Sequence, residues 1–254
     1  MKQLLQYSGI LALVLLAGCG KQEEAAIAPL RIYCGAGLRP AMTKLVAAFT
    51  GNTGIEVEPD YAGSGVILAR AREDTSADLF MPGDVYYVDR LHELTGTVVE
   101  KTTVSWFVPC IIVAKGNPKK ITALKDFYRD DVRAAVGRPK ACQVGRLTVK
   151  LLAKSDLDPE ALDAKQSLTV NELGVWVKMN DVDAAVVWDA SAANLGDAVD
   201  VIEIPKERNI FSHVVLGTLS TSPNPEAAAQ FATFLTGPEG QVILHASGFR
   251  VDEP

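Results

Sequence analysis

The sequence predicts an α/β protein of two lobes, each built on a mostly parallel β-sheet flanked by helices. Short β-type runs alternate with segments of helical periodicity along most of the chain, and this alternation favours parallel sheets covered by helices. The 254 residues, 48% of them hydrophobic, suffice for two lobes of roughly 100 to 120 residues each. A long apolar run at 105–115 suits a strand that crosses between the lobes, and a later run returns. We therefore predict lobe I at 30–107 plus 214–254, lobe II at 108–213, and crossover strands near 107 and 213.

The elements of lobe I follow from local patterns. Leu30–Cys34 is a β-type run, and after a glycine turn Met42, Leu45 and Phe49 recur at helical spacing. Two glycines at 51 and 54 are expected to stop that helix. Beyond them the patterns predict strands at 55–61 and 78–81 and helices at 66–73 and 85–94.

Lobe II repeats the alternation of strands and helices before the chain returns to lobe I. Its patterns predict strands at 132–137, 182–188 and 199–204, with helices at 145–154 and 170–179. The returning part reads as a strand at 213–220 and helices at 225–235 and 239–246. In such sheets a ligand sits beyond the carboxyl ends of the strands, so the turns there are the candidate site.

The first 29 residues predict where the protein is located and are not expected to belong to either lobe. Lys2 precedes a short apolar core that ends in small residues, which is typical of a signal peptide. Leu16–Cys19 resembles the bacterial lipobox, in which the chain is cut before a cysteine that then carries lipid. We expect a signal peptide at 1–18, lipid on Cys19 and a polar tether over 19–29. The alternative, a membrane-spanning anchor, is disfavoured because the continuously apolar stretch falls well short of about 20 residues.

Composition excludes several function classes. Lys+Arg 25 against Asp+Glu 31 gives a formal charge of −6 without a basic block, so nucleic acid is not an expected partner. Beyond Cys19 only Cys34, Cys110 and Cys142 are left, too few for a disulfide scaffold. Neither a CxxC motif nor zinc-type cysteine–histidine spacing is present. We predict three buried thiols, no metal site and no cofactor.

Two glycine turns, Gly35-Ala36-Gly37 and Gly63-Ser64-Gly65, each follow a strand and open a helix. Their backbone N–H groups are expected to point at one cleft and bind an anion, with the glycines giving it close access. The alternatives are a plain helix cap at Ser64 and a turn glycine at Gly37. A dinucleotide fingerprint lacks its third glycine, which is Pro40. The G-x-S-x-G motif of a nucleophile elbow is also absent, because Ala62 and Val66 occupy its two glycine positions around Ser64.

These features together resemble the molybdate/tungstate-binding branch of the bacterial periplasmic substrate-binding proteins of ABC importers. The resemblance covers roughly residues 30 to 250. The segments that carry it are Ile32–Leu38, Tyr61–Gly65, Ser76–Phe80, Ala135–Pro139 with Val144–Gly145, Ala184–Trp188, Phe234–Gly240 and Ser247–Phe249. It implies the two-lobed periplasmic-binding-protein fold.

The resemblance also implies an oxyanion site at Gly37, Ser64, Val144, Val170 and Trp188. Ser64 matches a serine that binds the oxyanion, while Val144 and Val170 fall where the family uses backbone amides. Two positions depart from the family: its first-turn serine is Gly37 here, and its late-strand tyrosine is Trp188, which donates only through its indole N–H. Losing the hydroxyl at Gly37 is expected to enlarge the cavity or to admit a water.

The resemblance implies a monomeric, non-enzymatic protein outside the cytoplasm that delivers molybdate or tungstate to an ABC permease in the inner membrane. The alternatives are a binder of another small solute, an anion sensor and a periplasmic enzyme. Arg39 and Arg146, close to the turns, are expected to be exposed and to steer anions only weakly. Tyr86 and Tyr87 invite an iron-site interpretation, but successive residues of a helix point apart.

Overall fold

The computed structural model describes residues 28–254, which form two five-stranded sheets with helices packed around them. The signal peptide, Cys19 and all but the last two residues of the predicted tether lie outside the described residues. Within residues 28–254, no helix has the length and apolar character needed to span a membrane.

The first sheet, sheet A, has the strand order β2-β1-β3-β10-β4. Its strands β1, β2 and β3 pair in parallel, and β10 runs antiparallel to both β3 and β4. Four strands therefore share one direction, which agrees with the predicted mostly parallel sheet. The bounds are β1 Leu30–Gly35, β2 Val57–Ala62, β3 Leu79–Met81, β4 Val98–Phe107 and β10 Ser212–Leu219.

The second sheet, sheet B, repeats this arrangement with the order β7-β6-β8-β5-β9. Here β6 pairs in parallel with β7 and β8, and β5 is antiparallel to β8 and β9. The bounds are β5 Pro109–Ala114, β6 Ala134–Gly137, β7 Ala164–Ser167, β8 Ala184–Trp188 and β9 Val199–Glu203.

In the part of the chain that the structure describes, eight α-helices surround the sheets. Those after β1, β2 and β3 are α1 Arg39–Thr53, α2 Ser64–Glu73 and α3 Val85–Thr95, and those after β6, β7 and β8 are α4 Gln143–Lys154, α5 Val170–Lys178 and α6 Asp189–Leu195. The chain ends with α7 Pro225–Thr236 and α8 Pro238–Ala246. Phe49 on α1 packs against Phe231 and Phe234 on α7, with ring centroids 5.0 and 5.5 Å apart. The C-terminal helices thus cover the sheet A side.

The chain passes between the sheets twice. The apolar run at 105–115, predicted as one crossing strand, is two strands in different sheets that are separated at Val108. Asp189 fixes this passage, since Val108 N–H donates to Asp189 Oδ1 at 3.1 Å and Asp189 N–H donates to the Val108 carbonyl at 2.8 Å. The return runs from β9 to β10. We call the parts around sheets A and B lobes I and II; the domain limits at 107 and 213 stay predictions.

Candidate functional site

A small cavity lies between the two lobes, at the carboxyl ends of β1, β2, β7 and β8 and beside the start of α4. Its volume is about 20 Å³, and since one water molecule requires about 10 to 15 Å³, it suits a small ion rather than a sugar or a peptide. Within the described chain, no charged side chain lines it. The lining residues are Gly35, Ala36, Gly37, Leu38, Gly63, Ser64, Gly83, Phe107, Cys142, Gln143, Val144, Thr169, Val170 and Trp188.

Four helix N-termini face this cavity. The single-turn 3₁₀ helix Ala36–Leu38 leads into α1, and α2, α4 and α5 each place their first residues in the wall. The first N–H groups of a helix have no partner within it, and its N-terminus carries a partial positive charge of roughly half a unit. The convergence produces an electropositive cavity without a formal cation.

Ser64 contributes a hydroxyl that is oriented as a donor. Its side chain is buried, and its Oγ accepts a hydrogen bond from the Gly83 N–H at 3.0 Å. Because Oγ already accepts this bond, the hydroxyl hydrogen is left to donate elsewhere, and the cavity lies beside it. The plain helix cap considered for Ser64 is not formed, since its own side chain makes no capping bond and Gly63 holds the N-cap position.

Gly37 and Trp188 face each other across the lobes. A Cβ on Gly37 would lie 3.1 Å from Trp188 Cδ1, 3.3 Å from Trp188 Nε1 and 3.1 Å from Val170 Cγ1. The indole is held in place by Phe107, with ring centroids 4.7 Å apart and planes within 6°. The expectation of a larger cavity at Gly37 is therefore wrong, because the indole and the valine fill the space that a serine side chain would take.

Val144 and its neighbours bring helix α4 close to the end of strand β6. A Cβ on Gly145 would lie 2.0 Å from the Gly137 carbonyl oxygen, so only glycine allows this approach of helix to strand. Beside them, burial raises the pKa of the Cys142 thiol to about 11, and the N–H groups of Gly145 and Val144 oppose the rise. The thiol is therefore neutral near pH 7 and adds no negative charge to the cavity.

The glycines around Ser64 have another role than the one predicted. A Cβ on Gly65 would lie 2.0 Å from the Lys140 carbonyl oxygen, and a Cβ on Gly63 would lie 2.3 Å from that of Leu168. The Gly65 N–H donates to the carbonyl of Ala141 at 3.0 Å. These glycines thus let the backbone of lobe II approach helix α2. The Gly65 N–H donates to lobe II and not to an anion.

Arg146 also differs from its prediction. Its side chain is only 22% exposed and pairs with Asp84 in lobe I, Nη2 to Oδ1 3.5 Å. Its guanidinium lies 4.0 Å from the centroid of the Tyr86 ring, so this tyrosine packs on a cation rather than facing a metal. Arg39 is exposed as expected and lies over Tyr61.

The structure brings all five predicted site residues, Gly37, Ser64, Val144, Val170 and Trp188, into the wall of one cavity. Their roles as ligands stay predictions. Sequence reasoning missed Gln143, Thr169, Phe107 and Gly83. Thr169 had a signal, since it is the N-cap of α5 and its Oγ1 accepts the Glu172 N–H at 3.4 Å; a threonine three residues before a glutamate is a recognised helix start.

Known proteins resemble this chain in sequence and in fold. A protein of Haemophilus influenzae, named only as a binding protein, is 31% identical over 224 residues, 87% of this chain and 91% of that one. The molybdate-binding protein ModA of Mycobacterium bovis is 24% identical over 255 aligned residues, 95% of this chain and 96% of that one. The periplasmic molybdate-binding protein of Azotobacter vinelandii has the same fold, with a TM-score of 0.77 at 15% identity over 88% of this chain and 100% of that one.

A protein-family model also matches nearly the whole described chain. The model of the bacterial extracellular solute-binding proteins matches residues 30–250, which include both sheets and every residue of the cavity wall. The chain therefore belongs to the bacterial extracellular solute-binding protein family, a family of transport proteins and not a class of enzyme.

Proposed function

We propose that this protein captures a fully deprotonated tetrahedral oxyanion, molybdate or tungstate, between its lobes and delivers it to an ABC permease. The observation that carries the proposal is the interlobe cavity with four helix N-termini, the Ser64 hydroxyl and the Trp188 indole in its wall. Neutral donors of this kind can bind a dianion without a countercharge. The relative named as a molybdate-binding protein supports the choice of anion.

The donor character of the wall favours an anion without a proton. An indole N–H only donates, and no carboxylate is among the lining residues that the structure describes. Hydrogen phosphate needs an acceptor for its proton, and an unsatisfied buried donor costs about 1 to 3 kcal/mol. Sulfate carries no proton, but its S–O bonds are shorter than Mo–O bonds, so it would leave some donors at a longer distance.

The N-terminal sequence supports attachment to the outside of the membrane. We propose that the chain is cut before Cys19, that this cysteine is lipidated, and that the protein acts as an anchored monomer. Mass spectrometry of the protein from membranes of a bacterial host tests this directly. The expected N-terminal peptide begins with Cys19 and carries the mass of attached lipid, whereas Cys19→Ala should accumulate uncleaved or be released without lipid.

Calorimetric titration tests the ligand. Purified protein is titrated under reducing conditions with molybdate, tungstate, sulfate and hydrogen phosphate at equal ionic strength. We expect tight binding of molybdate or tungstate, at least about 100-fold weaker binding of sulfate and none of hydrogen phosphate, as two or more mismatched donors would give. Tight binding of sulfate alone would show that sulfate, and not molybdate or tungstate, is the ligand. No heat of binding with any of the four anions, from folded protein, would show that the solute is a different one.

A further inference from the structure

We propose that Arg146 and Gln143 of helix α4 are positioning residues that hold the two lobes together around the bound solute. They contact Asp84, Tyr86 and Ser212 of lobe I, and we call these five residues the interlobe network. The inference rests on the proposed function, since it concerns retention of the solute in the same cavity.

Arg146 forms the outer part of the interlobe network. Its guanidinium lies 4.0 Å from the Tyr86 ring centroid, and its Nη2 lies 3.5 Å from Asp84 Oδ1. Asp84 is fixed in turn as the N-cap of α3, because its Oδ1 accepts the Tyr86 N–H at 2.9 Å. One cation of lobe II therefore contacts both a carboxylate and an aromatic face of lobe I, and partial burial strengthens both interactions.

Gln143 forms the inner part and connects Arg146 to the cavity. Its Oε1 accepts a bond from Arg146 Nε at 2.9 Å, and its Nε2 donates to Ser212 Oγ at 2.9 Å. The Ser212 oxygen lies 2.5 Å from Asp84 Oδ2 and 2.8 Å from the Gly83 carbonyl oxygen, so its single proton serves one of them at a time. Gln143, Ser212 and Asp84 are buried, so these bonds are shielded from water.

The interlobe network adjoins the predicted solute ligands on both sides. Gln143 is the first residue of α4 and precedes Val144, while Gly83 donates to the Ser64 hydroxyl. In lobe II a network residue and a predicted ligand are thus consecutive, and in lobe I the residue before Asp84 contacts the predicted ligand Ser64. Because the contacts of Arg146 and Gln143 with Asp84, Tyr86 and Ser212 join different lobes, separation of the lobes would break them. Their loss should therefore speed release of the solute more than it slows capture.

The test compares release rates and affinities for molybdate of wild type, Arg146→Gln, Tyr86→Ala and the double variant. Arg90→Gln is the matched control, because Arg90 forms an exposed pair with Glu93 within lobe I. Release rates come from tryptophan fluorescence after dilution, and affinities come from calorimetry. We expect each single variant to release molybdate about 5- to 30-fold faster with little change in the association rate, as loss of a partly buried cation–π contact and ion pair would give. The double variant should fall short of the product of the two effects.

Two further readouts separate positioning from general stability. The melting temperatures without molybdate should match that of wild type, since the proposed opening of the lobes separates Arg146 and Gln143 from their partners. Tyr86→Phe should keep the slow release because it keeps the ring. Equal release rates in wild type, Arg146→Gln and Tyr86→Ala would overturn the inference alone. Failure of wild type to bind any of the four anions would overturn the proposed function and this inference with it.

Discussion

Gly37 and Trp188 both depart from the pattern of the molybdate/tungstate-binding proteins that the sequence resembles. In the structure the two residues lie next to each other. The indole occupies the space next to Gly37, with Cδ1 only 3.1 Å from where a Cβ would lie, and its stacking on Phe107 leaves it little freedom to move. A hydroxyl and a phenol are thus replaced by one indole N–H and a flat apolar wall. At the level of single residues, the two identities should depend on each other.

A double-mutant cycle tests this dependence. Gly37→Ser alone should weaken molybdate binding about 5- to 100-fold, because a side chain forced against the indole and Val170 Cγ1 costs about 1 to 3 kcal/mol. Combined with Trp188→Tyr, the same change should recover most of the affinity, giving a coupling energy of about 1 to 3 kcal/mol. Calorimetry measures all four proteins, with Gly51→Ser as the control at an open position. Additive effects would contradict the coupling.

The Ser64 hydroxyl makes a second residue-level prediction. Ser64→Ala removes a charge-assisted donor to the anion and leaves the Gly83 N–H without its acceptor. Molybdate affinity should fall about 10- to 100-fold, as the loss of a hydrogen bond to a charged group implies. Ser105→Ala serves as the control, because the buried Ser105 hydroxyl has no partner within the described residues. Comparable losses of molybdate affinity in Ser64→Ala and Ser105→Ala would show that the Ser64 hydroxyl does not act by binding the anion.

At the scale of elements, the start of helix α2 is shaped by its contact with the backbone of lobe II. A Cβ at position 65 would lie 2.0 Å from the Lys140 carbonyl oxygen of lobe II, whereas none of the described atoms lies within 4 Å of a Cβ at position 51. The same Gly→Ala change therefore has opposite consequences at these two sites, both of which lie in helices.

Gly65→Ala should prevent full closure without harming the fold. Since the clash is relieved when the lobes separate, the melting temperature without ligand should stay close to that of wild type, while molybdate affinity should fall at least about 100-fold. Small-angle scattering should show that molybdate compacts wild type but not the variant. Gly51→Ala should bind normally and gain up to about 1 kcal/mol in stability from helix propensity. Compaction of Gly65→Ala by molybdate would refute this role.

The same elements show how far the sequence could predict the fold. Periodicity was sufficient for the three βα units of lobe I and for β6, α4, α5, β8 and β9 of lobe II, but it missed β7 and α6. Glycine after a strand marked the turns at 35 and 63. Periodicity could not separate β4 from β5, because Val98–Phe107 and Pro109–Ala114 adjoin with only Val108 between them. Strand β7, Ala164–Ser167, carries a lysine and a glutamine on an edge and lacks a strong β pattern. The partners of Gly65 and Arg146 lie in the other lobe, which no local pattern can reveal.

At the scale of the whole molecule, the wall of the candidate site is formed by both lobes. Gly37 and Ser64 come from lobe I, and Val144, Val170 and Trp188 come from lobe II. The cavity also has buried thiols on or near its walls, with Cys34 beneath the first turn and Cys142 at the start of α4. Contact between the lobes therefore places candidate donors from both of them beside buried thiols whose pKa values are raised by burial.

The buried thiols predict a loss of stability at alkaline pH. Burial raises the pKa of Cys142 to about 11 and, with help from Asp189 and Glu203, that of Cys110 to about 12, both from 9.0. Since the folded values lie above the unfolded ones, this stabilisation is complete below about pH 9 and is lost as the pH rises toward 11 to 12. Urea unfolding at a series of pH values should therefore show a flat free energy of unfolding near neutrality and a decline above pH 9. Cys110→Ala, remote from the cavity wall, should make that decline shallower, and an unchanged slope would show that this thiol ionises as readily folded as unfolded.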